Sequence, residues 1–362
     1  MKLRARQIPE FQRVLLAWFR RRKRDLPWRR THNPYRIWLS EVMLQQTRVG
    51  AVAPYYRRFL RRFPTVRALA RARSDQVLRL WGGLGYYSRA RNLHRAAKEI
   101  VGRHAGRFPQ EPETALALPG VGRYTAAAVL SIAYGARLAV VDGNVARVLA
   151  RLGALPGDLR ARHRWKQLQG AAQELLAARA PGDWNQAMME LGATVCTLRA
   201  PRCTECAVSR WCWAYRLGIA EQVPAARGKR APVRITLAAA VLLDPQGQTL
   251  VVKHEDADSE RGTGAVFSRM WQFPAVEVSR DAQEELARHL RVSLGLNVGE
   301  LAPLPAARHS VTFRQITLVP FLVRLERLPR IPGTRTPPLA KLERLPVSSA
   351  TRKIAAAALR SA

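Results

Sequence analysis

Residues 116–135, LALPGVGRYTAAAVLSIAYG, decide the fold of the first part of the chain. A Pro-Gly-Val-Gly turn at residues 119–122 separates two segments whose apolar residues recur at helical spacing. Gly120 and Gly122 allow a tight turn and a close approach of the backbone to other groups. The N–H groups that open the next helix can hold a phosphate. The stretch therefore predicts two helices joined by a phosphate-binding hairpin, although a plain helix–turn–helix corner would use similar residues.

The same helical spacing of apolar residues continues on both sides of this hairpin, up to about residue 218. Strand-like alternation is nearly absent there, and Pro and Gly separate the apolar runs. The clearest runs contain Phe11, Leu15, Trp18 and Phe19, then Ile37, Trp38 and Val42, and then Ala127, Leu130, Ile132 and Ala133. The sequence predicts a mostly α-helical domain over residues 1–218.

A second domain follows a change of composition at residues 219–232, IAEQVPAARGKRAP, which is typical of a linker. The segments ITLAAAVLLD and TLVVKH, separated by a Pro-Gln-Gly turn, predict a hairpin of strands. DAQEELARHLRVSLGL then has helical spacing, and ITLVPFLVRL returns to a strand pattern. We predict an α+β domain over residues 233–362.

The charge of the chain favours a polyanionic partner. The formal net charge is +35, and residues 231–362 contain 18 basic and 12 acidic side chains, so most of the excess lies before them. Such an excess is typical of nucleic-acid binding, although an Arg-rich proteome would also raise it. The start of the sequence, MKLRARQIPEF, contains no apolar run of signal-peptide length, and no stretch approaches a membrane span. We expect a cytoplasmic protein without membrane association.

All four cysteines, Cys196, Cys203, Cys206 and Cys212, lie within one short stretch. In a reducing compartment this confinement favours a metal centre over a disulfide framework. Four thiolates in so short a loop can close around one metal centre, such as an iron–sulfur cluster. Structural zinc is the alternative, but zinc sites usually use two tight Cys pairs, and only Cys203 and Cys206 form one here. Chance clustering is the remaining alternative.

Two carboxylates stand out by their surroundings. Glu41 is flanked by Trp38, Leu39 and Val42 on a predicted helix, where burial would raise its pKa toward the range of a general acid. A surface Glu paired with an Arg is the alternative interpretation. Asp142 directly precedes the predicted helix of VVDGNVARVLARL, where an N-cap role is the alternative to a role in chemistry.

Six motifs together resemble the MutY family of adenine-specific mismatch DNA glycosylases, within the endonuclease III or helix-hairpin-helix superfamily. They are WLSEVMLQQTRV, LWGGLGYYSRARNL, LPGVGRYTA, VVDGN, NQAMMELGA and the cysteine loop, and the likeness runs in order through residues 11–215. The spacing of the cysteines is similar to the iron–sulfur loop of that superfamily. The resemblance implies removal of adenine opposite 8-oxoguanine or guanine in double-stranded DNA. It also implies a [4Fe–4S] cluster on the four cysteines, and we expect a monomer.

The resemblance assigns roles to individual residues. Glu41 would protonate the adenine, and Asp142 would stabilise the positive charge that develops on the sugar. The residues expected to line the adenine pocket are Tyr124, Asn144, Arg29 and Gln186. Those expected to enter the helix and contact the opposite base are Gln46, Thr47, Leu84 and Tyr86, with Gly120 and Gly122 at a phosphate. Any of these could instead be a packing residue, Leu84 in particular.

Tyr124 separates two subfamilies. Related glycosylases that also cut the strand carry a lysine at this place in the hairpin, because imine formation requires an amine nucleophile. Residues 99–165 contain no lysine. The sequence therefore predicts base excision with little or no lyase activity, which also disfavours an endonuclease III-like pyrimidine glycosylase.

The second domain resembles the C-terminal domain of the same family, which is related to Nudix hydrolases. His289, Val292 and Ser293 stand where a Nudix box would need carboxylates for Mg²⁺, so we predict recognition of the base opposite adenine rather than nucleotide hydrolysis. The family's Phe-Ser-His loop is replaced by Val311, Thr312 and Phe313.

Thr312 keeps a hydroxyl that can hydrogen-bond the lesion, whereas Phe313 cannot make the polar contact of a histidine. We expect weaker discrimination of 8-oxoguanine from guanine, or discrimination through His309 or Gln315. A DNA-binding protein without catalysis is the remaining rival, and the intact pair Glu41 and Asp142 disfavours it.

Overall fold

The computed structural model describes residues 4–225, 231–253, 270–311 and 313–361. The chain divides into two compact units. The first, called the helical unit here, comprises Met1–Ala72 and Ser88–Gly228, and the second, the α+β unit, comprises Arg73–Tyr87 and Lys229–Ala362. The structure differs from the predicted domain 1–218 in two respects, because the helical unit extends to Gly228 and Arg73–Tyr87 groups with the α+β unit. The physical reason for the second difference is non-local, since Asp75 of this segment is ion-paired to Lys253.

Helices form nearly all regular structure in residues 4–225, as predicted. They are α1 (Ile8–Arg22), α2 (Pro34–Leu44), α3 (Val49–Arg62), α4 (Val66–Ala70), α5 (Ser74–Trp81), α6 (Tyr87–Arg103), α7 (Pro112–Ala117), α8 (Arg123–Tyr134), α9 (Gly143–Gly153), α10 (Arg162–Glu174), α11 (Pro181–Thr194) and α12 (Trp213–Arg216). Of these, α5 lies in the segment that belongs to the α+β unit. No helix of the described residues is both long and apolar enough to cross a membrane.

Local sequence signals set the ends of the helices that matter for the site. Asn33 caps α2, because its side chain accepts a hydrogen bond from the N–H of Arg36, and Pro34 occupies the first turn. Asp142 caps α9 in the same way through the N–H of Val145. Gly135 ends α8 with a φ of 71°, a left-handed conformation that glycine adopts readily.

The core of the helical unit gathers apolar side chains from helices that are distant in sequence. Phe11 of α1 contacts Trp184 of α11 and Trp211, with ring centroids 5.8 and 5.4 Å apart, both edge to face. The same cluster includes Val145 and Leu149 of α9. Helices α1, α9 and α11 are therefore fixed against one another, which positions the residues at their ends.

The α+β unit contains a mixed sheet. The strands of the whole unit are β1 (Val233–Leu243), β2 (Val251–Lys253), β3 (Trp271–Gln272), β4 (Ala275–Glu277), β5 (Ala302–Pro303), β6 (Ala307–Val311), β7 (Arg314–Arg324) and β8 (Thr334–Arg335). Strand β1 pairs with β7 in parallel and with β4 antiparallel, and β5 and β6 also pair with β7. A second, three-stranded sheet has the order β3-β2-β8. Two further helices, α13 (Ala282–Leu294) and α14 (Ser349–Ser361), complete the unit.

Strand β1 is buried on both faces, which explains its continuous apolar sequence. Leu237, Ala239 and Val241 point into one core, which contains Ile354 of α14. Ala238, Ala240 and Leu242 point into the other, which contains Leu286 and Leu290 of α13. The α+β class predicted for this part of the chain is confirmed.

The predicted hairpin between ITLAAAVLLD and TLVVKH differs in detail. A turn does follow β1, with the N–H of Gly247 donating to the carbonyl of Asp244. Among the described residues of the two segments, the β-pairing is limited to an isolated bridge between Leu243 and Thr249, and β2 pairs with β3 and β8 instead. The regular partners of β1 come from further along the chain, a choice that local alternation does not reveal.

Candidate active site

A cavity of about 490 Å³ opens in the helical unit among the ends of several helices. Eight of the residues singled out in the sequence line it: Arg29, Glu41, Gln46, Thr47, Tyr124, Asp142, Asn144 and Gln186. They come from segments spread over some 160 positions of the sequence. Its volume falls in the range of pockets that enclose a small ligand, which includes a single nucleobase.

Glu41 lies on the apolar helix α2 with only 5% of its surface exposed. Burial penalises the ionised carboxylate and raises the pKa of Glu41 to about 7, against a hydrogen bond from Tyr124 that lowers it. The nearby carboxylate of Asp142 also raises it, and the guanidinium of Arg29 lowers it. Near neutral pH, Glu41 can therefore both hold and release a proton.

Tyr124 is the direct partner of Glu41. Its hydroxyl donates to Oε2 of Glu41 at 2.8 Å and lies 3.3 Å from the sulfur of Met189. Tyr124 is the second residue of α8, directly after the hairpin turn. Burial and the carboxylates of Glu41 and Asp142 raise the pKa of the Tyr124 hydroxyl, so it remains a hydrogen-bond donor.

Asp142 serves as a helix cap and as a wall of the cavity at the same time. Its Oδ1 accepts from the N–H of Val145 at 2.7 Å, and its Oδ2 accepts from Nδ2 of Asn144 at 3.1 Å. Burial raises the pKa of Asp142, and these hydrogen bonds oppose that rise. The predicted alternatives of capping and chemistry are thus compatible, because the cap holds the carboxylate in a fixed orientation.

A second buried carboxylate, Glu190 of α11, was not singled out in the sequence. Its side chain is fully buried and accepts from Nε and Nη2 of Arg24 at 2.8 and 2.7 Å, and from Nη2 of Arg29 at 2.7 Å. Burial alone would raise the pKa of Glu190, but these charged hydrogen bonds prevail and lower it to about 2. The available signal was a lone carboxylate in the apolar run NQAMMELGA, as for Glu41.

The loop after α2 is held by Arg89, which was also missed. Gln46 adopts a φ of 55°, uncommon for a residue other than glycine. The guanidinium of Arg89 donates to the carbonyls of Val42, Met43 and Gln45 and to the hydroxyl of Thr47. One buried side chain therefore closes the end of α2 and fixes Gln46 and Thr47 at the cavity. Arg89 lies within the motif LWGGLGYYSRARNL quoted above, but nothing local in that motif indicates its partners.

The hairpin turn contains two glycines, Gly120 and Gly122, which were predicted to allow a tight turn and a close approach of the backbone. Gly120 has a φ of 75°, and a Cβ there would lie 2.7 Å from Cβ of Asn92, so only glycine fits. Gly122 is the N-cap of α8, and a Cβ there would meet no atom within 4 Å. The first N–H groups of α8 are left for an external acceptor such as a phosphate.

Two residues predicted to contact the opposite base, Leu84 and Tyr86, are not among those that line the cavity. Leu84 and Tyr86 belong to the segment Arg73–Tyr87 of the α+β unit. Leu84 is buried, and Tyr86 has a φ of 49°. Thr312 lies outside the described residues. Of the alternative contacts on β6 and β7, His309 is half-buried, with its pKa lowered by burial and by Lys353, and Gln315 is exposed.

The four cysteines line one small cavity between α11 and α12, together with Arg151. The buried guanidinium of Arg151 donates to Sγ of Cys196 at 3.3 Å and to the carbonyls of Thr197 and Leu198. Burial, with smaller contributions from the other sulfurs, raises the pKa of Cys206 to about 12, so thiolates here need a cationic centre.

Within the described residues, no three His, Cys, Asp or Glu side chains surround a single ion position. Four cysteine sulfurs that line a shared cavity can hold either a polynuclear iron–sulfur cluster or one zinc ion. The [4Fe–4S] assignment stays a prediction.

Fold and site together define a class of protein. Residues 39–176 match the model described as "HhH-GPD superfamily base excision DNA repair protein". The predicted resemblance to this superfamily is thereby confirmed over this part of the chain, which is less than half of its length. A solved structure of a thermostable thymine-DNA glycosylase is similar to the chain with a TM-score of 0.54 and 29% identity, over 59% of this chain and 98% of that one.

The curated relatives are more specific. Over 226 residues the chain is 46% identical to the adenine DNA glycosylase of Homo sapiens, covering 60% of this chain and 41% of that protein. Over 203 residues it is 37% identical to the adenine DNA glycosylase of Buchnera aphidicola subsp. Acyrthosiphon pisum, covering 56% and 58% respectively. The chain thus spans about half the length of the curated relatives it matches.

Proposed function

We propose that the chain is an adenine DNA glycosylase, which hydrolyses the N-glycosidic bond of adenine mispaired with 8-oxoguanine or guanine in duplex DNA. The observation that carries this proposal is the pair of carboxyl groups in one cavity. Glu41 has a pKa near 7, and Asp142 is held in place by two hydrogen bonds. The names of the curated relatives support the same activity.

The reaction starts when adenine leaves the base stack and enters the cavity. Protonated Glu41 donates its proton to a ring nitrogen as the bond between the sugar C1′ and the base breaks. The bonding electron pair goes to the base, which leaves as neutral adenine. Tyr124 holds Oε2 of Glu41 at 2.8 Å and thereby directs the carboxyl group during this transfer.

Loss of the base leaves positive charge on the sugar. The carboxylate of Asp142 stabilises that charge, and its hydrogen bonds from Val145 and Asn144 keep it aimed without reorganisation. Water then adds to C1′ and gives up a proton to the carboxylate of Glu41, which restores the starting state. This division between an acid and an anionic partner follows the chemistry of glycoside hydrolysis.

Strand cleavage is not part of the proposed activity. An imine mechanism requires an amine next to the sugar, and the hairpin carries Tyr124 at the place expected for a lysine. No lysine is present among the described residues that line the cavity. The product is an abasic site in an intact strand.

The DNA backbone would be held by the open N–H groups of α8 and by the strong positive charge of the chain. Cys196, Cys203, Cys206 and Cys212 would hold the [4Fe–4S] cluster, which when bound cross-links the loop between α11 and α12. The α+β unit would contact the base opposite adenine. Because Phe313 lacks the polar group of a histidine, selectivity for 8-oxoguanine over guanine would be weak.

The test uses end-labelled duplexes that carry adenine opposite 8-oxoguanine, guanine or thymine. We expect breaks at the mispaired adenine only after alkali treatment, at comparable rates for the first two duplexes. Glu41→Gln, purified with the same cluster content, should abolish them. Breaks without alkali would overturn the absence of lyase activity. No breaks on any duplex would instead indicate a DNA-binding protein without catalysis.

A further inference from the structure

The loop that carries Leu84 and Tyr86 belongs to the α+β unit, although its sequence lies within the helical part of the chain. The segment Arg73–Tyr87 comprises α5 and the glycine-rich turn Gly82–Tyr86 and packs with residues from 229 onward. Two contacts to side chains far away in sequence anchor it.

The first anchor is an ion pair at the start of α5. Nζ of Lys253 lies 3.2 Å from Oδ1 of Asp75, and the two side chains are only 25% and 34% exposed. Lys253 also lies 5.5 Å from the ring centroid of Trp271, and Arg335 lies 4.8 Å from the same ring. Asp75 sits in the first turn of α5, where the helix dipole favours an acidic residue. Lys253 thus connects the ring of Trp271 on β3 to the acidic start of α5.

The second anchor lies at the other end of α5. A Cβ atom at position 82 would lie only 2.5 Å from Nη2 of Arg352, so the guanidinium rests against the backbone of Gly82. Arg352 belongs to α14, and its Nε is buried without a hydrogen-bond partner among the described residues. A side chain at this position would displace the guanidinium rather than strain the backbone, because the φ of −53° suits any residue.

The turn itself is tied to the end of α5. The indole N–H of Trp81 donates to the carbonyl of Gly85 at 3.1 Å, and the N–H of Leu84 donates to the carbonyl of Trp81 at 3.0 Å. Gly83, Gly85 and Tyr86 have φ angles of 102°, 70° and 49°. The glycines adopt these angles freely, but Tyr86 is strained in this conformation and needs its surroundings to hold it. Movement of α5 is therefore passed directly to Leu84 and Tyr86.

We propose that Lys253 and Arg352 are positioning residues that set the turn Gly82–Tyr86, and through it the selectivity for the base opposite adenine. The proposal rests on the proposed function, since the turn is assigned to the opposite base there. Neither residue touches the adenine cavity, so their effect is on discrimination between mispairs rather than on bond cleavage. The α+β unit would thus contact the opposite base through a turn that lies in the first quarter of the sequence.

The experiment exchanges the charges of the first anchor in the full-length protein. Asp75→Lys, Lys253→Asp and the double variant are compared by hydrogen–deuterium exchange of residues 82–87 without DNA. The same proteins are compared by single-turnover excision from adenine:8-oxoguanine and adenine:guanine duplexes. Each single variant should speed exchange and shift the ratio of the two excision rates roughly threefold from the value near one expected of the unmodified protein, the range of one partly exposed ion pair. The double variant should restore both.

A control of the same kind lies in the same unit. Glu284 and Arg288 form an exposed ion pair on α13, 2.9 Å apart, away from the segment. Exchanging their charges should change neither the exchange of residues 82–87 nor the ratio of rates. A response of equal size would show that any charge exchange in the unit perturbs the turn, and would overturn the proposal.

The second anchor is tested by changing the space that its two residues occupy, not their charge. Gly82→Ala should displace the flexible end of Arg352 at little cost to folding and reproduce the effect of Arg352→Ala. The two changes combined should be no worse than either alone, because they remove the same contact. Additive effects would overturn the assigned contact.

The outcomes separate the two proposals. The single variants could speed exchange, and the double variant restore it, while the ratio of excision rates stays the same in all of them. That result would show that the ion pair anchors the turn but that the turn does not affect selectivity for the opposite base, and it would overturn the positioning role. Unchanged exchange in every variant would overturn the anchors themselves. Failure of the proposed function has a different signature, namely no adenine excision by the unmodified protein while exchange at residues 82–87 still responds to the charge exchange.

Discussion

Glu41 and Glu190 are two carboxylates in the same cavity with opposite properties. Both lie on apolar helices and are almost wholly buried, with 5% and 0% of their surfaces exposed. Yet the pKa of Glu41 is raised to about 7 and that of Glu190 is lowered to about 2. The difference lies in their partners, because Glu41 receives one neutral hydroxyl and Glu190 receives two guanidinium groups. Burial alone therefore does not decide whether a carboxylate can act as an acid.

The comparison suggests a division of roles. Glu41 can exchange a proton near neutral pH, which is the property of a general acid. Glu190 stays ionised and fixes Arg24 and Arg29 along the wall of the cavity. Such separation of two carboxylates by environment is a general way in which one site holds an acid and an anion. Four measurements test this division of roles, in order of decreasing expected effect.

The largest expected effect is on excision in Glu41→Gln. Loss of the only proton donor proposed for the leaving base should slow single-turnover excision by roughly 10²–10⁴-fold, the usual contribution of a general acid. The measurement is the rate on an adenine:8-oxoguanine duplex at saturating enzyme. Retention of more than about a tenth of the rate would show that another group protonates the base.

The next effect is on folding in Glu190→Gln. Removing this charge leaves the buried Arg29 without its anion, which should lower the free energy of unfolding by about 3 kcal/mol, the lower end of the range because Arg24 is partly exposed. Urea unfolding measures it. Glu99→Gln, which removes a surface pair with Arg103, is the matched control and should change stability by less than about 1 kcal/mol. A smaller loss in Glu190→Gln than in Glu41→Gln would contradict the comparison.

A third effect concerns pH. The folded protein holds the proton of Glu41 more tightly than the unfolded chain, since the pKa rises from 4.5 to about 7. This contribution to stability is complete below pH 4.5 and is lost as the pH rises to 7, by about 3 kcal/mol. The difference in unfolding free energy between the unmodified protein and Glu41→Gln, measured from pH 4 to 8, isolates it.

The sign is opposite for Glu190, whose pKa falls from 4.5 to about 2. Its contribution is present above pH 4.5 and is lost as the pH falls toward 2. Excision should also decline as the pH rises through 7, because Glu41 loses its proton. A flat difference curve for Glu41→Gln would show that Glu41 ionises normally.

The smallest effect is expected for Tyr124→Phe. The hydroxyl of Tyr124 lowers the pKa of Glu41, so its removal should raise that pKa and move the decline in excision to higher pH. At pH 7 the rate should change by less than about tenfold, as for one hydrogen bond. The pH profile of single-turnover excision measures the shift, and an unmoved profile would mean that the two groups do not interact.

The sequence predicts most of what is local in this protein. Helical spacing in α1, α2 and α8, the cap at Asp142 and the apolar surroundings of Glu41 are each visible within one short stretch, and each is found in the structure. Glu190 was missed because its partners are distant. Arg24 and Arg29 lie 166 and 161 positions away, and no local pattern indicates that they reach it.

Pairing across long separations accounts for the other differences. Strand β1 pairs with β7, some 80 positions later, instead of forming a regular hairpin with β2. The segment Arg73–Tyr87 has the same helical spacing as its neighbours, and periodicity does not say which core a short helix joins. The lesion-contacting loop at Thr312 lies outside the described residues and stays a prediction.

Because Arg73–Tyr87 belongs to the α+β unit, the two units cannot be divided simply at the linker. A cut in the linker, the natural place to divide the gene, would separate α5 from the residues with which it folds. A fragment ending there would retain Asp75 and Gly82 but lose Lys253 and Arg352. Exchanging the C-terminal part between relatives would likewise graft a foreign surface onto a native loop. The two units therefore cannot be separated by a single cut in the linker.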